Sequence, residues 1–398
     1  MNIGKIRKDF AILERKINGK PIVYLDSACQ SLRPRQVVDK INQYYNEFPA
    51  CGGRSMHKLG KKVTDEIAFA RNTARKFFNA RNEGEIVFTR NTTEGINLVA
   101  NAFKLSKGDE VLISDKEHNS NLVPWLKLAK EKEIQINFFK FGDIADFQKK
   151  LSKKTRLVSF VHISNLDGTS NPAKELVKIA HDNGSTTLID GAQSAPHREI
   201  DVRKLDADFF CCSGHKMLGP TGTGMLYGKQ EILERLDTFM VGGETVIDTT
   251  YNSANFEKPP AKFEAGLQDY AGIIGFAEAM KYLKNIGLEN IEKHEMALNK
   301  KVTDKLAEEV ELLGPKDSKQ RAGIFSFNIK GMDFHNISVM LDSSANIMIR
   351  SGVHCCHSWF NANHIKGSAR ASFYLYNTEE ECELLIEEVK KIRKLFGK

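Results

Sequence analysis

Short runs of apolar residues alternate with helical patterns from about residue 22 to about residue 230. The runs are continuously hydrophobic, which is typical of parallel strands covered on both faces. They read IVYLDS, EIVFT, EVLIS, RLVSFVHIS, TTLIDGAQS, ADFFCCSG and GTGMLYG. Between several of them lie segments such as VTDEIAFARNTARKFFN, with apolar residues at three- and four-residue steps. The pattern predicts a large α/β domain with a mostly parallel sheet.

The C-terminal part of the chain has a different pattern. Residues 242–269 have no convincing period, and loops of that length are usually functional or lie at an interface. Helical patterns follow at about 270–312, and then strands and helices mix up to an amphipathic C-terminal helix. This order predicts a smaller α+β domain.

Composition narrows the class of protein. The chain has 398 residues, which exceeds one ordinary core, and its 41% hydrophobic and 27% charged residues are typical of a globular protein. No apolar run approaches the roughly 20 residues that span a bilayer, and the first residues lack the apolar core of a signal peptide. We therefore expect a cytoplasmic protein with no membrane role. The net charge of +7 is scattered and lacks basic–aromatic interleaving, so no direct nucleic-acid role is expected.

Seven cysteines raise the question of thiol chemistry. Their odd number and the two adjacent pairs argue against a secreted disulfide framework and favour reduced thiols. Cys211 and Cys212 lie inside an apolar strand, so we expect them in the core. Cys355 and Cys356, in RSGVHCCHSW, lie among polar residues and require another explanation.

Asp190 and Lys216 end consecutive apolar strands, where open α/β sheets place their ligand crevice. A lysine at such a place can have a lowered pKa and form a Schiff base with a carbonyl. Pyridoxal phosphate requires such a lysine, an acid for its ring nitrogen, and a phosphate cradle. Either residue alone would be an exposed lysine or a turn cap; together they indicate this cofactor.

The sequence also contains a candidate phosphate cradle. Thr92 and Thr93 follow the strand EIVFT and begin a helical run, whose free amides suit a dianion. Alone, the segment is only a good helix cap. Ser213 and His215, beside Lys216, would form the second side of the cradle.

These segments together resemble the class V aminotransferase family, and specifically its SUF-type (group II) cysteine desulfurases and selenocysteine lyases. The matching stretches are VYLDSA, NTTEGINLVAN, EHNSNLVPW, HISNLDGTSNP, DGAQSAPH, SGHKMLGPTGTGMLY, FEAG, IRSGVHC and RASFYLYN. The resemblance implies the fold type I of pyridoxal-phosphate-dependent transferases. The chain would then comprise an N-terminal segment (1–20) that joins the small domain, a large cofactor-binding domain (21–270), and a small C-terminal domain (271–398).

The resemblance also implies a role for each matching residue. Lys216 would bind the cofactor covalently, Asp190 would pair with the ring nitrogen, and Gln193 would hydrogen-bond the phenolic oxygen. His118 would stack on the ring and move protons, and Asn165 would lie near the ring oxygen and the substrate carboxylate. The phosphate would be held by Thr92, Thr93, Ser213 and His215.

The resemblance assigns substrate recognition and sulfur transfer to residues in the C-terminal part of the chain. Arg370 would bind the substrate carboxylate, a task suited to its planar fork, with Arg350 as a second cation of the substrate site. Cys355 has the position of the family's catalytic cysteine, and a loop thiolate near cations is a nucleophile. It would take sulfur from L-cysteine as a persulfide, leave L-alanine, and pass the sulfur to an acceptor protein for iron–sulfur cluster or thiolated-product synthesis. The family resemblance further implies a homodimer.

The sequence departs from the family pattern at four places near the expected active site. Cys29 replaces the second alanine of the YLDxAA segment, and CGGRSMH, with Cys51, replaces a segment resembling HRGxH. Cys356 follows Cys355. Leu267 stands where the family has a threonine reaching the partner subunit's phosphate, which puts that contact in doubt.

Three of the four changes add a cysteine, which suggests a hypothesis about metal binding. Cys29, Cys51 and Cys356, with Cys355, would converge on an iron–sulfur cluster or zinc at the mouth of the active site. The alternatives are that Cys29 fills the place of a small residue and that the extra thiols relay persulfide sulfur.

Two other functions are compatible with the sequence. The first is a selenocysteine lyase, another pyridoxal-phosphate β-lyase or a class V aminotransferase, although plain transamination needs no thiol at position 355. The second, of another class, is an iron–sulfur or metal-binding sulfur-transfer protein on the same scaffold.

Overall fold

The computed structural model describes residues 1–396. Its α-helices are α1 Ile3–Arg7, α2 Arg35–Glu47, α3 Lys58–Phe77, α4 Thr92–Ala102, α5 Val123–Lys132, α6 Ile144–Lys150, α7 Ala173–Asp182, α8 Val202–Leu205, α9 Gln230–Leu233, α10 Tyr270–Ile286, α11 Leu288–Leu306, α12 Phe334–Ala345, α13 His357–Ala362 and α14 Glu379–Phe396. Its strands are β1 Lys16–Ile17, β2 Lys20–Pro21, β3 Val23–Tyr24, β4 Ile86–Thr89, β5 Glu110–Ser114, β6 Gln135–Phe139, β7 Thr155–Val161, β8 Thr186–Asp190, β9 Phe209–Ser213, β10 Gly224–Gly228, β11 Val246–Thr249, β12 Ala254–Phe256, β13 Glu311–Leu313, β14 Ile324–Asn328, β15 Ile347–Met348, β16 Arg350–Gly352 and β17 Ser368–Ser372.

A seven-stranded sheet in the order β4-β10-β9-β8-β7-β5-β6 forms the centre of the large unit. Strands β5 to β9 are mutually parallel, and β10 runs antiparallel to both β9 and β4. Strands β5, β8, β9 and β10 are almost wholly buried, since helices cover both faces. The predicted mostly parallel sheet is confirmed, and the carboxyl ends of β8 and β9 lie side by side.

The smaller unit contains an antiparallel sheet in the order β13-β14-β17-β16. Apolar residues of α11, α12 and α14 pack on it to form a separate core, which includes Val302, Leu341 and Leu385. In this sheet β17 lies next to β16, with Arg370 opposite Arg350. The two arginines of the predicted substrate site are therefore neighbours.

The first predicted strand, IVYLDS, belongs to this smaller unit and not to the large sheet, so that assignment was wrong. Strand β3 pairs in parallel with β15, through hydrogen bonds from Val23 N to Asn346 O (3.1 Å) and from Leu25 N to Met348 O (2.9 Å). Arg7 donates to Tyr376 O (2.6 Å) and so ties the N-terminal segment to the C-terminal part of the chain.

The predicted division at residues 270/271 stays a prediction, and helix α10, which begins there, contacts helices of the large unit. Helix α10 packs between α2 and α3, and its Phe276, Met280 and Leu283 belong to the core of the large unit. Part of the aperiodic segment 242–269 forms the hairpin β11–β12. None of the helices in the described part of the chain has the length and apolar character needed to cross a membrane.

Candidate active site

A cavity of about 220 Å³ lies at the carboxyl ends of the parallel strands, between the large sheet and the sheet of the smaller unit. The structure brings together all the residues predicted to bind cofactor or substrate or to act in catalysis. Those that line the cavity are Thr92, Thr93, His118, Asn165, Asp190, Gln193, Ser213, His215, Lys216, Arg350, Cys355 and Arg370. The roles of the individual residues remain predictions, and their contacts decide what each can do.

Asp190 and Lys216 form the electrostatic centre of the cavity. Asp190, 2% exposed at the end of β8, accepts a hydrogen bond from Ala192 N at 2.9 Å. Burial raises the pKa of Asp190, while that hydrogen bond and the Lys216 charge act in the opposite direction. Burial lowers the pKa of Lys216, which Asp190 partly offsets. A lysine amine with a lowered pKa is a better nucleophile and base, and a buried carboxylate suits a protonated ring nitrogen.

His118 is held as a neutral imidazole. Its Nδ1 accepts a hydrogen bond from Ser120 N at 3.1 Å, which leaves the hydrogen on Nε2. Burial lowers the pKa of His118 to about 3, and the charges of Lys216 and Arg370 lower it further. At neutral pH this side chain can therefore donate one hydrogen bond from Nε2 without carrying a net charge.

The predicted phosphate cradle joins two elements. Thr92, the first residue of α4, donates from its backbone N to Ser213 Oγ at 2.9 Å, and the two hydroxyl oxygens are 2.8 Å apart. Thr93 Oγ1 lies 2.7 Å from Ser120 Oγ. Burial lowers the pKa of His215 to about 4, so this ring is neutral near pH 7. Hydroxyls at a helix N-terminus form a site suited to a phosphate dianion.

Gln193 has hydrogen-bonding capacity that the protein does not use. Its Nε2 donates to Ala28 O at 2.6 Å, and its buried Oε1 has no partner among the described residues. An amide nitrogen carries two hydrogens, so one remains for a ring oxygen. This orphaned amide, the hydroxyl cradle and the Asp190–Lys216 pair fit pyridoxal phosphate.

Arg370 is 2% exposed and only partly paired. It donates to Asn165 O at 2.8 Å and lies 3.5 Å from Asp26 Oδ1, while its Nε has no partner in the described part of the chain. Arginine remains charged even where burial lowers its pKa, as it does here. A substrate carboxylate would supply the missing acceptor.

Asn165 holds the loop that carries Cys355. Its Nδ2 donates to His354 O at 2.7 Å, and its Oδ1 accepts from Cys356 Sγ at 3.3 Å. Cys355 O accepts from Asn119 N at 2.7 Å, next to His118. His354 and Cys355 both have positive φ, 48° and 58°, so the chain turns sharply here. This turn exposes Cys355 to the cavity and directs Cys356 away from it.

The four cysteines proposed as a metal site do not converge, and that prediction is wrong for this chain. Cys29 and Cys355 line the cavity, whereas Cys51 is exposed outside it. Cys356 is buried in an apolar cluster with Phe360, and burial raises its pKa to about 12. Within residues 1–396 no group of three or more His, Cys, Asp or Glu side chains is placed to hold a metal ion.

The prediction for the other adjacent pair of cysteines is confirmed. Cys211 and Cys212 are fully buried in the core, as expected. Two further residues contact the predicted site: Ser120 Oγ lies 2.7 Å from Thr93 Oγ1, and Asp26 faces Arg370. Ser120 lies in the same EHNSN segment as His118, so its place in the motif was an available signal. Asp26 lies in the matching stretch VYLDSA, but its contact with Arg370 exists only in the folded chain.

Cys29 has a polar partner that the sequence did not suggest. Arg350 Nη1 lies 2.7 Å from Cys29 Sγ, so the guanidinium of the predicted substrate site donates to a thiol sulfur. The Cys29 side chain is half-buried and lines the same cavity as Cys355. The cavity therefore contains two thiols.

Comparisons with known proteins agree with this geometry. The model of the family "Aminotransferase class-V" matches residues 23–385. The chain is 41% identical, over 100% of its length and 99% of the relative's, to a probable cysteine desulfurase of Halalkalibacterium halodurans. Its fold is similar to the apo structure of a cysteine desulfurase from Thermococcus onnurineus (TM-score 0.94, 36% identity, 99% and 98% of the two chains covered). It is also similar to the cysteine desulfurase CsdA, in an S-sulfonic acid form, from Escherichia coli (TM-score 0.91, 30% identity, 100% and 99% covered).

The family match extends over both units of the structure, and the similar solved structures cover almost the whole chain. The fold is that of the type I pyridoxal-phosphate-dependent enzymes, with a large mostly parallel sheet and a smaller C-terminal unit. The predicted family is confirmed. The chain belongs to the class V aminotransferase family.

Proposed function

We propose that this protein is a cysteine desulfurase that uses pyridoxal phosphate, converts L-cysteine to L-alanine and takes the sulfur as a persulfide on Cys355. The observation that carries this proposal is that Cys355 lines the same cavity as Lys216, Asp190 and Arg370. Relatives that align over the full length of the chain are named cysteine desulfurase. A thiol in this cavity has no task in plain transamination.

The chemistry that pyridoxal phosphate supplies when bound is an electron sink for a carbanion at the substrate. The chain itself orients the substrate and moves protons. Arg370 binds the carboxylate of L-cysteine, because its buried guanidinium has donor capacity left. Lys216, with its lowered pKa, removes and returns protons, and the neutral His118 donates a hydrogen bond from Nε2.

The sulfur step is balanced without an external oxidant. The Cys355 thiolate attacks the sulfur of the substrate, an S–S bond forms, and the substrate C–S bond breaks. The electron pair of that bond stays with the substrate carbon, which is then protonated to give L-alanine. Cys355 is left with one additional sulfur atom as a persulfide.

Replacing Cys355 tests the proposal. Cys355→Ala should abolish persulfide formation and reduce alanine release to background, while the visible absorbance of the bound cofactor persists. Peptide mass spectrometry after alkylation, with an alanine assay on the same sample, measures both. The matched control is Cys356→Ser, because Cys356 is fully buried outside the cavity. This variant should still form the persulfide on Cys355. Sustained alanine release from Cys355→Ala would contradict the assignment.

We further propose that the acceptor of the sulfur is a protein, because Cys355 lies half-buried on a loop where a partner's thiol can approach. All seven cysteines are free thiols, which supports a reducing compartment such as the cytoplasm. An acceptor of this kind would use the sulfur for iron–sulfur clusters or thiolated products.

We also propose a homodimer, supported by exposed apolar side chains around the β11–β12 hairpin. Ile247 is 67% exposed and Leu267 68%, and the two segments are joined by the hydrogen bond from Gly266 N to Gly243 O (2.8 Å). Arg54, 3.8 Å from Glu244, brings a third segment to this surface. Apolar groups clustered in this way commonly mark a subunit interface.

Ile247→Lys should shift the protein from dimer to monomer in sedimentation velocity, because a charge cannot be buried unpaired in an apolar interface. The control is Val339→Lys, a substitution of another exposed apolar residue (62%) on α12. Equal sedimentation coefficients for the two variants would contradict an interface at the hairpin.

A further inference from the structure

The cavity contains a second thiol whose surroundings differ from those of the structural cysteines. Cys211, Cys212 and Cys382 are fully buried among apolar side chains. Cys29 is half-buried, lines the cavity, and has the Arg350 guanidinium 2.7 Å from its Sγ. A guanidinium that donates to sulfur stabilises the thiolate, which is the reactive form of cysteine.

The backbone around Cys29 is fixed from both units of the structure. Ala28 N donates to Ser372 Oγ at 2.9 Å, and Ala28 O accepts from Gln193 Nε2 at 2.6 Å. Cys29 N donates to Asp26 O at 3.1 Å. Cys29 therefore has a defined position in the wall of the cavity, whereas Cys355 lies on the loop between β16 and α13.

The charges around Cys29 suit an anionic sulfur. Lys216 and Arg370 line the same cavity as Arg350, so three cationic side chains surround this space. Burial lowers the pKa of Lys216 and of Arg370, and a thiolate at Cys29 acts on both in the opposite direction. The same cations would stabilise a persulfide anion at this position.

From these contacts we infer that Cys29 is a second sulfur-carrying residue, which receives the sulfane sulfur from the persulfide of Cys355. The inference rests on the proposed function, since Cys355 must first be loaded. The Cys29 thiolate attacks the outer sulfur of the Cys355 persulfide, a new S–S bond forms at Cys29, and the Cys355–sulfane bond breaks. Cys355 leaves as a thiolate, the proton stays with the transferred sulfur, and no oxidant is needed.

The transfer has a consequence for turnover. It returns Cys355 to its thiolate form while the sulfur stays in the cavity, next to Arg350. A second molecule of L-cysteine can then react before any acceptor arrives. Without acceptor or reductant, wild-type protein should therefore form more alanine per chain in its initial burst than a variant without Cys29.

The test loads the cofactor-bound protein anaerobically with L-cysteine, traps thiols by alkylation at successive times, and locates added sulfur by peptide mass spectrometry. In wild-type protein the Cys355 peptide should gain sulfur first and the Cys29 peptide afterwards. Cys29→Ser should retain the persulfide on Cys355, and its alanine burst should fall by about half, since one of two carrier thiols is lost. The control is Cys51→Ser, which removes an exposed cysteine outside the cavity and should leave the labelling pattern and the burst unchanged.

Three results would overturn the inference, and the first and third of them leave the proposed function intact. The first is a Cys29 peptide without added sulfur at all times while the Cys355 peptide is loaded. The second is sulfur on Cys29 in Cys355→Ala protein, which would mean that Cys29 is loaded directly. The third is a Cys29–Cys355 disulfide with release of hydrosulfide, which would mean attack on the inner sulfur. A lack of both alanine and Cys355 persulfide would instead contradict the proposed function itself.

Discussion

At the scale of single residues, the active site depends on side chains whose protonation differs from that in water. Lys216 has a lowered pKa because it is enclosed by protein, and the pKa of His118 falls to about 3 for the same reason. Burial raises the pKa of Asp190, and the positive charge of Lys216 acts in the opposite direction. Enclosure by protein therefore shifts the pKa of all three side chains in the direction that favours the uncharged form.

Lys216→Ala should eliminate the visible absorbance of covalently held cofactor and lower the rate of alanine formation on the order of 10²–10⁴-fold, the usual contribution of a positioned acid–base group. Absorbance spectra and an alanine assay on one preparation measure both effects. Lys104→Ala, a change at a lysine whose side chain is 72% exposed, is the control and should alter neither. An unaltered spectrum in Lys216→Ala would contradict the cofactor assignment.

The sequence predicted those residues that occupy the ends of neighbouring strands, but it could not predict all of their contacts. Asp190 and Lys216 follow apolar runs, and parallel strands bring such ends together. The contact between Arg350 and Cys29 joins residues 321 positions apart and has no local signal. The proposed cysteine cluster failed for a local reason: the turn at Cys355 sends the next side chain, Cys356, into the apolar cluster around Phe360.

At the scale of elements, the two sides of the phosphate cradle depend on close packing between β10 and the start of α4. Gly224 is the first residue of β10, and a Cβ there would lie 2.6 Å from Asn91 Cα and 2.7 Å from Cys212 O. These are backbone atoms, so they cannot yield as the end of a side chain can. The absence of a side chain at Gly224 therefore sets the position of Thr92 relative to Ser213.

Gly224→Ala should lower the free energy of unfolding by about 1–3 kcal/mol, the usual cost of overpacking, and weaken cofactor binding because the cradle is displaced. Urea unfolding and titration of apo protein with cofactor measure the two effects. Gly4→Ala in α1 is the matched control, since its Cβ would have only an ordinary contact of 3.7 Å with Asn2. Equal behaviour of the two variants would contradict the packing argument.

The hydrophobic pattern predicted the central strands well, because each is buried on both faces and reads as a continuous apolar run. It assigned β3 to the wrong sheet, because a short apolar run does not indicate its partner strand. It also missed the β11–β12 hairpin, whose residues are almost all exposed and therefore give no apolar signal.

At the scale of the whole molecule, a half-buried histidine outside the active site links folding to pH. Burial lowers the pKa of His162 from 6.5 to about 3, and the nearby Arg198 contributes in the same direction. Its Nδ1 has no partner among the described residues. The unfolded chain takes up a proton near pH 6.5 whereas the folded chain does not until about pH 3, so this group favours unfolding as the pH falls between those values.

His162→Gln should therefore reduce the loss of stability in acid. In wild-type protein the histidine removes about 1.4 kcal/mol of unfolding free energy per pH unit below pH 6.5, and the variant lacks this contribution. Urea unfolding at several pH values measures the difference in slope. Above about pH 7.5 both states hold a neutral imidazole, so the two curves should run parallel there. Identical slopes in acid would contradict the assignment.

The pairing of β3 with β15 and the contact between Asp26 and Arg370 can form only after the C-terminal part of the chain has been synthesised. The ion pair links residues 344 positions apart, and β3 leaves the ribosome long before its partner strand exists. Ordering contacts of such separation requires closing a very long loop, so they form late. The large sheet can fold while translation continues, but residues 23–26 must wait unpaired until the last part of the chain has emerged. Arg370, and with it the cavity that it lines, reaches its final position only when the two ends of the polypeptide meet.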